Sequence, residues 1–169
     1  MQHPDAKQVL RELGLDYFRE LLIFRELSDP VIADLVIRGT LDDLARGESV
    51  TRIDQNAEDF QIVLRGRLAY YKHCDDHYVL TRYFEQGEQL GFDEMMALVK
   101  RNGTDVAVDD SLILNVSSKQ FYQLHKNYPG EFGILMLNLA LELSREISIL
   151  EDVIGQGTGW SKTGLQTGA

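Results

Sequence analysis

The segment FQIVLRGRLAYY, residues 60–71, decides the fold. β-Branched, aromatic and other apolar residues flank Gly66 on both sides, and glycine tolerates the backbone angles of a tight turn. We therefore predict two strands that meet at Gly66. Residues 78–84 and 111–116 have a similar β-rich composition and predict further strands. Glycines recur through this region as a compact antiparallel roll of short strands requires, at positions 47, 66, 87, 91 and 103.

Helical spacing of apolar residues brackets the roll on both sides. Residues 5–27 predict a helix interrupted near Gly14, and Ser28-Asp29-Pro30 begins a short helix that ends by Gly39. A short helical patch lies between residues 92 and 99, a helix follows Ser117-Ser118, and a long helix covers residues 131–154. The predicted fold class is α+β: an antiparallel, jelly-roll-like β-roll flanked by N-terminal helices and a long C-terminal helix.

These patterns divide the chain into three parts. Residues 1–27 form an N-terminal helical segment, and residues 28–154 form the roll with its long helix. Residues 155–169 contain five glycines and repeated Thr-Gly pairs, which predict a flexible tail.

The charge balance excludes several partners. Among 169 residues, 27 are acidic and 17 basic, which gives a net charge of −10 and a pI near 4.8. Phosphates and anionic lipid surfaces repel such a chain, so we expect no direct nucleic acid or membrane partner. The single cysteine, Cys74, excludes an internal disulfide and favours a reducing, cytoplasmic location.

The order of these elements resembles the cyclic nucleotide-binding domains of the catabolite activator proteins. The resemblance covers residues 23–154. Its carriers are Leu27-Ser28-Asp29, Gly47-Glu48, Gly66-Arg67, the segment GEQLG at residues 87–91 with the spacing of the family's Gly-Asp-x-Phe-Gly, and VSSKQFYQLHKNYP at residues 116–129.

The resemblance implies a site for a cyclic nucleotide, cAMP or a related molecule. In the family, backbone N–H groups after the second glycine of that turn hold the cyclic phosphate, a Glu directly after it holds the ribose, and an Arg about ten residues on pairs with the phosphate. Here Arg101 stands at or next to the phosphate position. Phe92 stands where the Glu is expected, and a loop one residue different in length would bring Asp93 there instead. The implied ligand-binding residues are Gly91, Phe92, Asp93, Glu94, Arg101, Asn102 and Thr104.

Carboxylates near this segment oppose an anionic ligand. Asp93 and Glu94 lie in the first turn of the short helix and Asp105 follows Arg101, so each repels a bound phosphate. Two hypotheses therefore stand side by side. One is a regulatory module that senses a cyclic nucleotide through a partly degenerate phosphate segment, and the other is a protein-interaction or dimerisation module that has lost its ligand.

Catalytic and metal-binding patterns are weak. The run His73-Cys74-Asp75-Asp76-His77 lies between two strands, where Asp-Asp is ordinary turn chemistry. The chain has no His-x-His pair of the kind that jelly-roll metal enzymes need, and no phosphate-binding loop or Ser-His-Asp arrangement. We expect no enzyme activity, no metal and no cofactor. The fifteen residues after residue 154 are too few for a helix-turn-helix, so we expect no direct control of transcription.

The long helix predicts a homodimer, besides any unidentified protein partner. Apolar side chains at gaps of three and four residues form a seam like that of a coiled coil. Phe132 begins this seam, and its interface residues are Met136, Leu139, Leu143, Ile147, Leu150 and Ile154. A second line, Ile134, Leu135, Leu137 and Leu141, is expected to pack on the roll. The alternative is one wide apolar stripe packed wholly on the chain's own roll.

Overall fold

The computed structural model describes residues 2–51 and 53–157. Its helices are α1 Ala6–Glu20, α2 Asp29–Arg38, α3 Phe92–Ala97, α4 Ser118–Asn127 and α5 Pro129–Gly157, with a single 3-10 turn at Leu22–Phe24 between α1 and α2. Its strands are β1 Thr40–Leu44, β2 Asp59–Arg65, β3 Leu68–Cys74, β4 His77–Phe84, β5 Gln89–Leu90, β6 Gly103–Ala107 and β7 Ser111–Ser117.

The strands form two antiparallel sheets, as the sequence predicts. One has the order β1-β7-β2-β5 and the other the order β4-β3-β6. Because side chains alternate along a strand, the four-stranded sheet has two different faces. One face, with Phe60, Ile62 and Leu114, packs against the helices. The other face, with Leu44, Val63 and Ile113, packs against Leu68, Phe84 and Ala107 of the second sheet, so the predicted α+β roll is confirmed.

The predicted turn at Gly66 joins β2 to β3. Gly66 has a φ of 85°, in the region that favours glycine, and a Cβ added there would collide with Ser111. The turn therefore requires glycine for its backbone angle and for the close approach of the chain before β7.

Local signals also predict where the flanking helices break. Gly14 has a φ of 76° and kinks α1, while α2 is preceded by Ser28 and ends before Gly39. The side chain of Ser28 does not cap its own helix, because its hydroxyl donates to Glu131 Oε1 at 2.6 Å. The backbone N–H of Ser28 donates to the other oxygen of the same carboxylate, Oε2, at 2.8 Å. These bonds fix the start of α2 against the start of α5.

The first part of α5 packs on the roll and on the N-terminal helices. Leu135 and Leu139 are fully buried in the core that Val9 and Phe18 of α1 also enter. Asn138 Nδ2 donates to the carbonyl oxygens of Ile23 at 3.1 Å and Arg25 at 2.8 Å. Helix α5 continues to Gly157, so residues 155–157 are helical, and residues 158–169 of the predicted flexible tail lie outside the described residues. No helix in the described ranges is long and apolar enough to cross a lipid bilayer.

Candidate functional site

A cavity of about 320 Å³ lies where the resemblance expects a ligand. Helix α3 and the segment that follows it, strands β3 and β4, and helix α5 all contribute to its wall. We call it the cassette cavity, and the residues that decide its chemistry are Tyr70, Lys72, Arg82, Glu94, Arg101 and Glu146. Among the other predicted ligand residues, Gly91, Asp93 and Asn102 line the cavity wall, and Phe92 is buried behind it.

Gly91 gives helix α3 its start and gives Arg101 its space. Its φ of 78° lies in the left-handed region, which glycine adopts without strain. A Cβ added at this position would run into the guanidinium of Arg101. Gly91 therefore serves the packing of Arg101 in addition to the turn.

Arg101 is the candidate phosphate ligand, and its guanidinium is already bonded within the chain. Nη1 donates to Glu94 Oε2 at 2.9 Å and to the carbonyl oxygen of Gly91 at 3.3 Å. Nη2 donates to Asp59 Oδ1 at 2.7 Å and also to the carbonyl oxygen of Asp59. The residue is only 5% exposed. The arginine thus joins α3 to β2 through four acceptors.

Glu94 is the acidic partner of Arg101 on the wall of the cassette cavity. Its side chain is buried, and Oε1 accepts from the backbone N–H of Asn102 at 3.3 Å and from the Tyr70 hydroxyl at 3.5 Å. Burial raises the pKa of Tyr70, and the charges of Glu94 and Asp93 raise it further, so the phenol stays a hydrogen-bond donor. The carboxylate therefore has donors on both oxygens.

Phe92, at the position where the resemblance expects a Glu for the ribose, faces the core. Its ring makes edge contacts with Phe60 at a centroid distance of 5.4 Å and with Phe121 at 5.7 Å. The side chain is buried and apolar. It offers no acceptor to a ribose hydroxyl.

The three carboxylates that the sequence groups together have different partners. Asp93 is exposed on the cavity wall, whereas Glu94 pairs with Arg101. Asp105 is fully buried and accepts from the backbone N–H of Thr51 at 2.9 Å and from the Thr51 hydroxyl. Asp105 therefore fixes the loop before β2 through Thr51, and Asp105 itself does not line the cassette cavity.

Asn102 lines the cassette cavity, whereas Thr104 does not. Asn102 Oδ1 accepts from the Tyr70 hydroxyl at 3.1 Å, beside the cavity. Thr104 turns away, because its hydroxyl donates to the carbonyl oxygen of Thr51 at 3.2 Å and lies 3.0 Å from Ser49 Oγ. Thr104 is thus the one predicted ligand residue with a hydroxyl, and that hydroxyl is engaged outside the cassette cavity.

Two carboxylates of α5 are missed by the sequence analysis, and one of them, Glu146, lines the cassette cavity. Glu142 Oε1 accepts from the backbone N–H of Gln89 at 2.6 Å, and Glu146 Oε1 pairs with Arg82 Nη1 at 2.8 Å. Burial raises the pKa of Glu142 to about 8 and that of Glu146 to about 7, against the opposing effects of the Gln89 N–H and of Arg82. Their signal in the sequence is the i,i+4 spacing of two acids on an otherwise apolar helix.

The predicted dimer seam is partly taken up inside the chain. Leu139 is fully buried in the chain's own core, so none of its surface is left for a partner, and Met136 and Leu143 are half-buried against the same core. Ile147 and Leu150 are 57% and 46% exposed, and Ile154 is exposed as well. The next residue, Ala140, is exposed. With Ala140 in the place of Leu139, the positions of the seam are spaced alternately by four and three residues, as in a coiled coil.

The second apolar line of α5 does not pack on the roll as a whole. Leu135 is buried and Ile134 half-buried, but Leu137 and Leu141 are 65% and 55% exposed. The prediction for Leu137 and Leu141 is therefore wrong. Helix α5 turns by about 100° per residue, and only one stripe of this apolar surface can face the roll.

The sequence matches the family model described as the cyclic nucleotide-binding domain over residues 41–128. That range is just over half of the 169 residues. It contains the cassette cavity's α3 and Arg101, and it stops before α5. No curated protein sequence matches the chain significantly.

Several solved structures share the fold at low sequence identity. A cyclic nucleotide-binding domain from Methylobacillus flagellatus is 18% identical over 95% of this chain and 91% of its own, with a TM-score of 0.77. The catabolite activator protein of Thermus thermophilus is 17% identical over 81% of this chain, with a TM-score of 0.65, and this chain covers 63% of its length. The N-terminal domain of a transcriptional regulator from Streptomyces coelicolor is 17% identical over 81% of this chain and 96% of its own, with a TM-score of 0.61.

Proposed function

The chain belongs to the cyclic nucleotide-binding domain family, and we propose that it is a non-catalytic regulatory module in which an internal carboxylate replaces the ligand phosphate. The observation that carries this proposal is the ion pair between Arg101 and Glu94. The arginine that is expected to recognise a cyclic phosphate is paired before any ligand arrives. The module then holds its folded arrangement without a nucleotide.

The energetics of the pocket support this proposal. A phosphate that approaches Arg101 must displace Glu94 or remain beside it. Two like charges about 4 Å apart repel by on the order of a few kcal/mol near a protein surface. The buried Glu94 has no route to full hydration while Arg101, Asn102 and Tyr70 hold it. Phe92 supplies no compensating contact to a ribose.

We propose that the module works as a homodimer through the second half of α5. Its first half is packed on the chain's own core through Leu135 and Leu139. Beyond that point Ile147 and Leu150 remain exposed at the spacing of a coiled-coil seam, although polar residues surround them. A second α5 helix would bury these side chains, each contributing about 1.5–3 kcal/mol before association costs.

A second candidate function, sensing of cAMP or a related nucleotide, is favoured by a separate observation. Gly91 and Arg101 keep the family's ten-residue separation, and a cavity of about 320 Å³ lies beside them. Lys72 and Arg82 add positive charge to its wall. On this hypothesis the nucleotide would exchange its phosphate for Glu94 on Arg101.

Titration calorimetry with cAMP, cGMP and cyclic dinucleotides separates the two functions. We expect the wild type to give no saturable binding at roughly 1 mM nucleotide, which corresponds to a binding free energy weaker than about −4 kcal/mol. Glu94→Gln removes the competing charge and should raise nucleotide affinity measurably. Asp93→Asn is the matched control: it removes a neighbouring charge that does not touch Arg101, and should have a smaller effect. Micromolar binding by the wild type, lost in Arg101→Ala, would overturn the proposal in favour of the nucleotide sensor.

A further inference from the structure

A second cavity, of about 510 Å³, lies along the four-stranded sheet and adjoins the cassette cavity at Arg101 and Thr51. Asp42 of β1, Gln61 of β2 and Asn115 of β7 line it, together with the loop before β2. By strand alternation they lie on the same sheet face as Leu44, Val63 and Ile113, which pack between the sheets. We call this the acidic cavity.

The charges of this cavity are unbalanced. Asp42, Glu58 and Asp59 bring three carboxylates to its described wall, where Arg101 is the one guanidinium. Arg101 is bonded to Asp59 and also to Glu94 outside this cavity. The wall therefore repels anions and attracts cations.

A buried acceptor without a donor points into the same space. Gln61 is only 3% exposed, and its Oε1 accepts no hydrogen bond from any residue that the structure describes. Leaving such an oxygen without a donor costs stability, so it is rare in folded proteins. Asp42 nearby is also buried; Asn115 Nδ2 donates to its Oδ2 at 2.8 Å, and the exposed His3 Nδ1 lies 2.7 Å from its Oδ1. The cavity thus offers acceptors that an incoming N–H group would satisfy.

We propose that the acidic cavity binds a small organic cation with several N–H donors, an aliphatic diamine or a guanidino compound. One ammonium or guanidinium group would bond to Gln61 Oε1 and Asp42, and the second charged end would face Glu58. The volume lies within the range of small-molecule sites. A metal ion is disfavoured, because among the described residues no three His, Cys, Asp or Glu side chains converge to hold one.

Calorimetric titration of the full chain with agmatine and putrescine tests this site, at about 150 mM salt so that the general attraction of an acidic protein is screened. The diol of the same carbon chain as putrescine is the uncharged control. We expect at least one amine to bind saturably with a Kd below roughly 10 mM, which is a weak affinity. We expect no binding of the diol. No saturable amine binding, or equal binding of the diol, would overturn the proposal.

Substitutions locate the binding. Asp42→Asn and Gln61→Met both keep the size of the side chain. Asp42→Asn should weaken amine binding about tenfold or more, because it removes a charge, and Gln61→Met should weaken it severalfold. Asp43→Asn is the matched control, because Asp43 follows Asp42 on β1, points to the opposite face and lies near Arg65 instead. An equal loss in Asp42→Asn and Asp43→Asn would mean nonspecific attraction and overturn the site.

One readout needs no substitution. In the wild type, amine titration followed by nuclear magnetic resonance should shift the side-chain amide signals of Gln61 and Asn115 more than those of Asn138, which lies on α5 away from the cavity. Shifts confined to other residues would contradict the proposed location, even with saturable binding. This result is independent of whether Arg101 accepts a nucleotide.

Discussion

The cassette cavity and the acidic cavity share Arg101 and Thr51, yet they differ in how their polar groups are satisfied. In the cassette cavity, Glu94 accepts hydrogen bonds from both Arg101 and Tyr70. In the acidic cavity, Gln61 is buried with an oxygen that lacks a donor among the described residues. The family's spacing is thus kept at an arginine that already has partners within the chain, so the spacing alone does not show that a ligand binds.

The largest effect is expected from removing the arginine that the two cavities share. Arg101→Met leaves Glu94 buried without its cation, so the free energy of unfolding should fall by about 3–5 kcal/mol. Chemical denaturation measures it. Adding Glu94→Gln to Arg101→Met should recover part of the loss, because the stranded charge is gone.

Arg38→Met is the control for this prediction. Arg38 pairs with Asp34 at the surface of α2, and exposed pairs of this kind contribute less than about 1 kcal/mol. A loss in Arg101→Met no larger than in Arg38→Met would mean that the cassette cavity is not held together by its own charges.

The next effect concerns the outer wall of the cassette cavity, where Leu150 belongs to both the cavity lining and the exposed seam of α5. Ile147→Asp with Leu150→Asp should give a folded monomer in sedimentation, because two charges would have to be buried in the dimer. Leu143→Asp is less suitable, since Leu143 also packs on the chain's own core. Leu137→Asp with Leu141→Asp, on another exposed face, should leave the dimer intact. A wild type that is monomeric at tens of micromolar would contradict the proposed dimer, because the proposed interface should hold two copies together at that protein concentration.

A pH dependence should come from the same helix, α5. Glu142 has its pKa raised to about 8 by burial, with Glu146 and Glu88 raising it and Arg82 and the Gln89 N–H opposing. The folded state then holds a proton that the unfolded state releases, so stability is full below about pH 4.5 and falls as the pH rises towards about 8. Glu142→Gln should flatten this fall, because the amide does not titrate. Thermal unfolding across this pH range measures it, and an equal slope in both proteins would count against the raised pKa.

The smallest effect comes from two buried glutamines whose side-chain oxygens lack a donor among the described residues; Gln120 differs in that its nitrogen also donates a hydrogen bond. Gln61→Met removes an oxygen without a donor and should change the free energy of unfolding by less than about 1 kcal/mol, in either direction. Gln120→Met removes the donor that reaches the carbonyl oxygen of Leu35 at 2.8 Å, and should cost about 1–2 kcal/mol. Denaturation of both variants checks the difference, and a larger loss in Gln61→Met would show that this side chain is already satisfied.

The roll was predictable because its signals are local. The turn at Gly66, the kink at Gly14 and the end of α2 at Gly39 depend on backbone angles and side-chain periodicity that short segments reveal. The position of Arg101 was predictable for a similar reason, since its separation from Gly91 is a property of the chain.

The partners of these residues were not predictable. Asp59 reaches Arg101 across 42 positions and Asp105 reaches Thr51 across 54, so nothing local couples them. The same limit explains Leu139 and Leu141: both fit an apolar helix, and only the packed roll decides that Leu139 is buried and Leu141 exposed.

Nuclear magnetic resonance of the arginine side chains tests most directly whether Arg101 is neutralised within the chain. In the wild type, we predict slow hydrogen exchange and hindered rotation of the Arg101 guanidinium, both unchanged by about 5 mM cAMP, while the exposed Arg25 exchanges fast. Fast exchange at Arg101 without a ligand, or a saturable shift of its signals on addition of cAMP, would contradict the account.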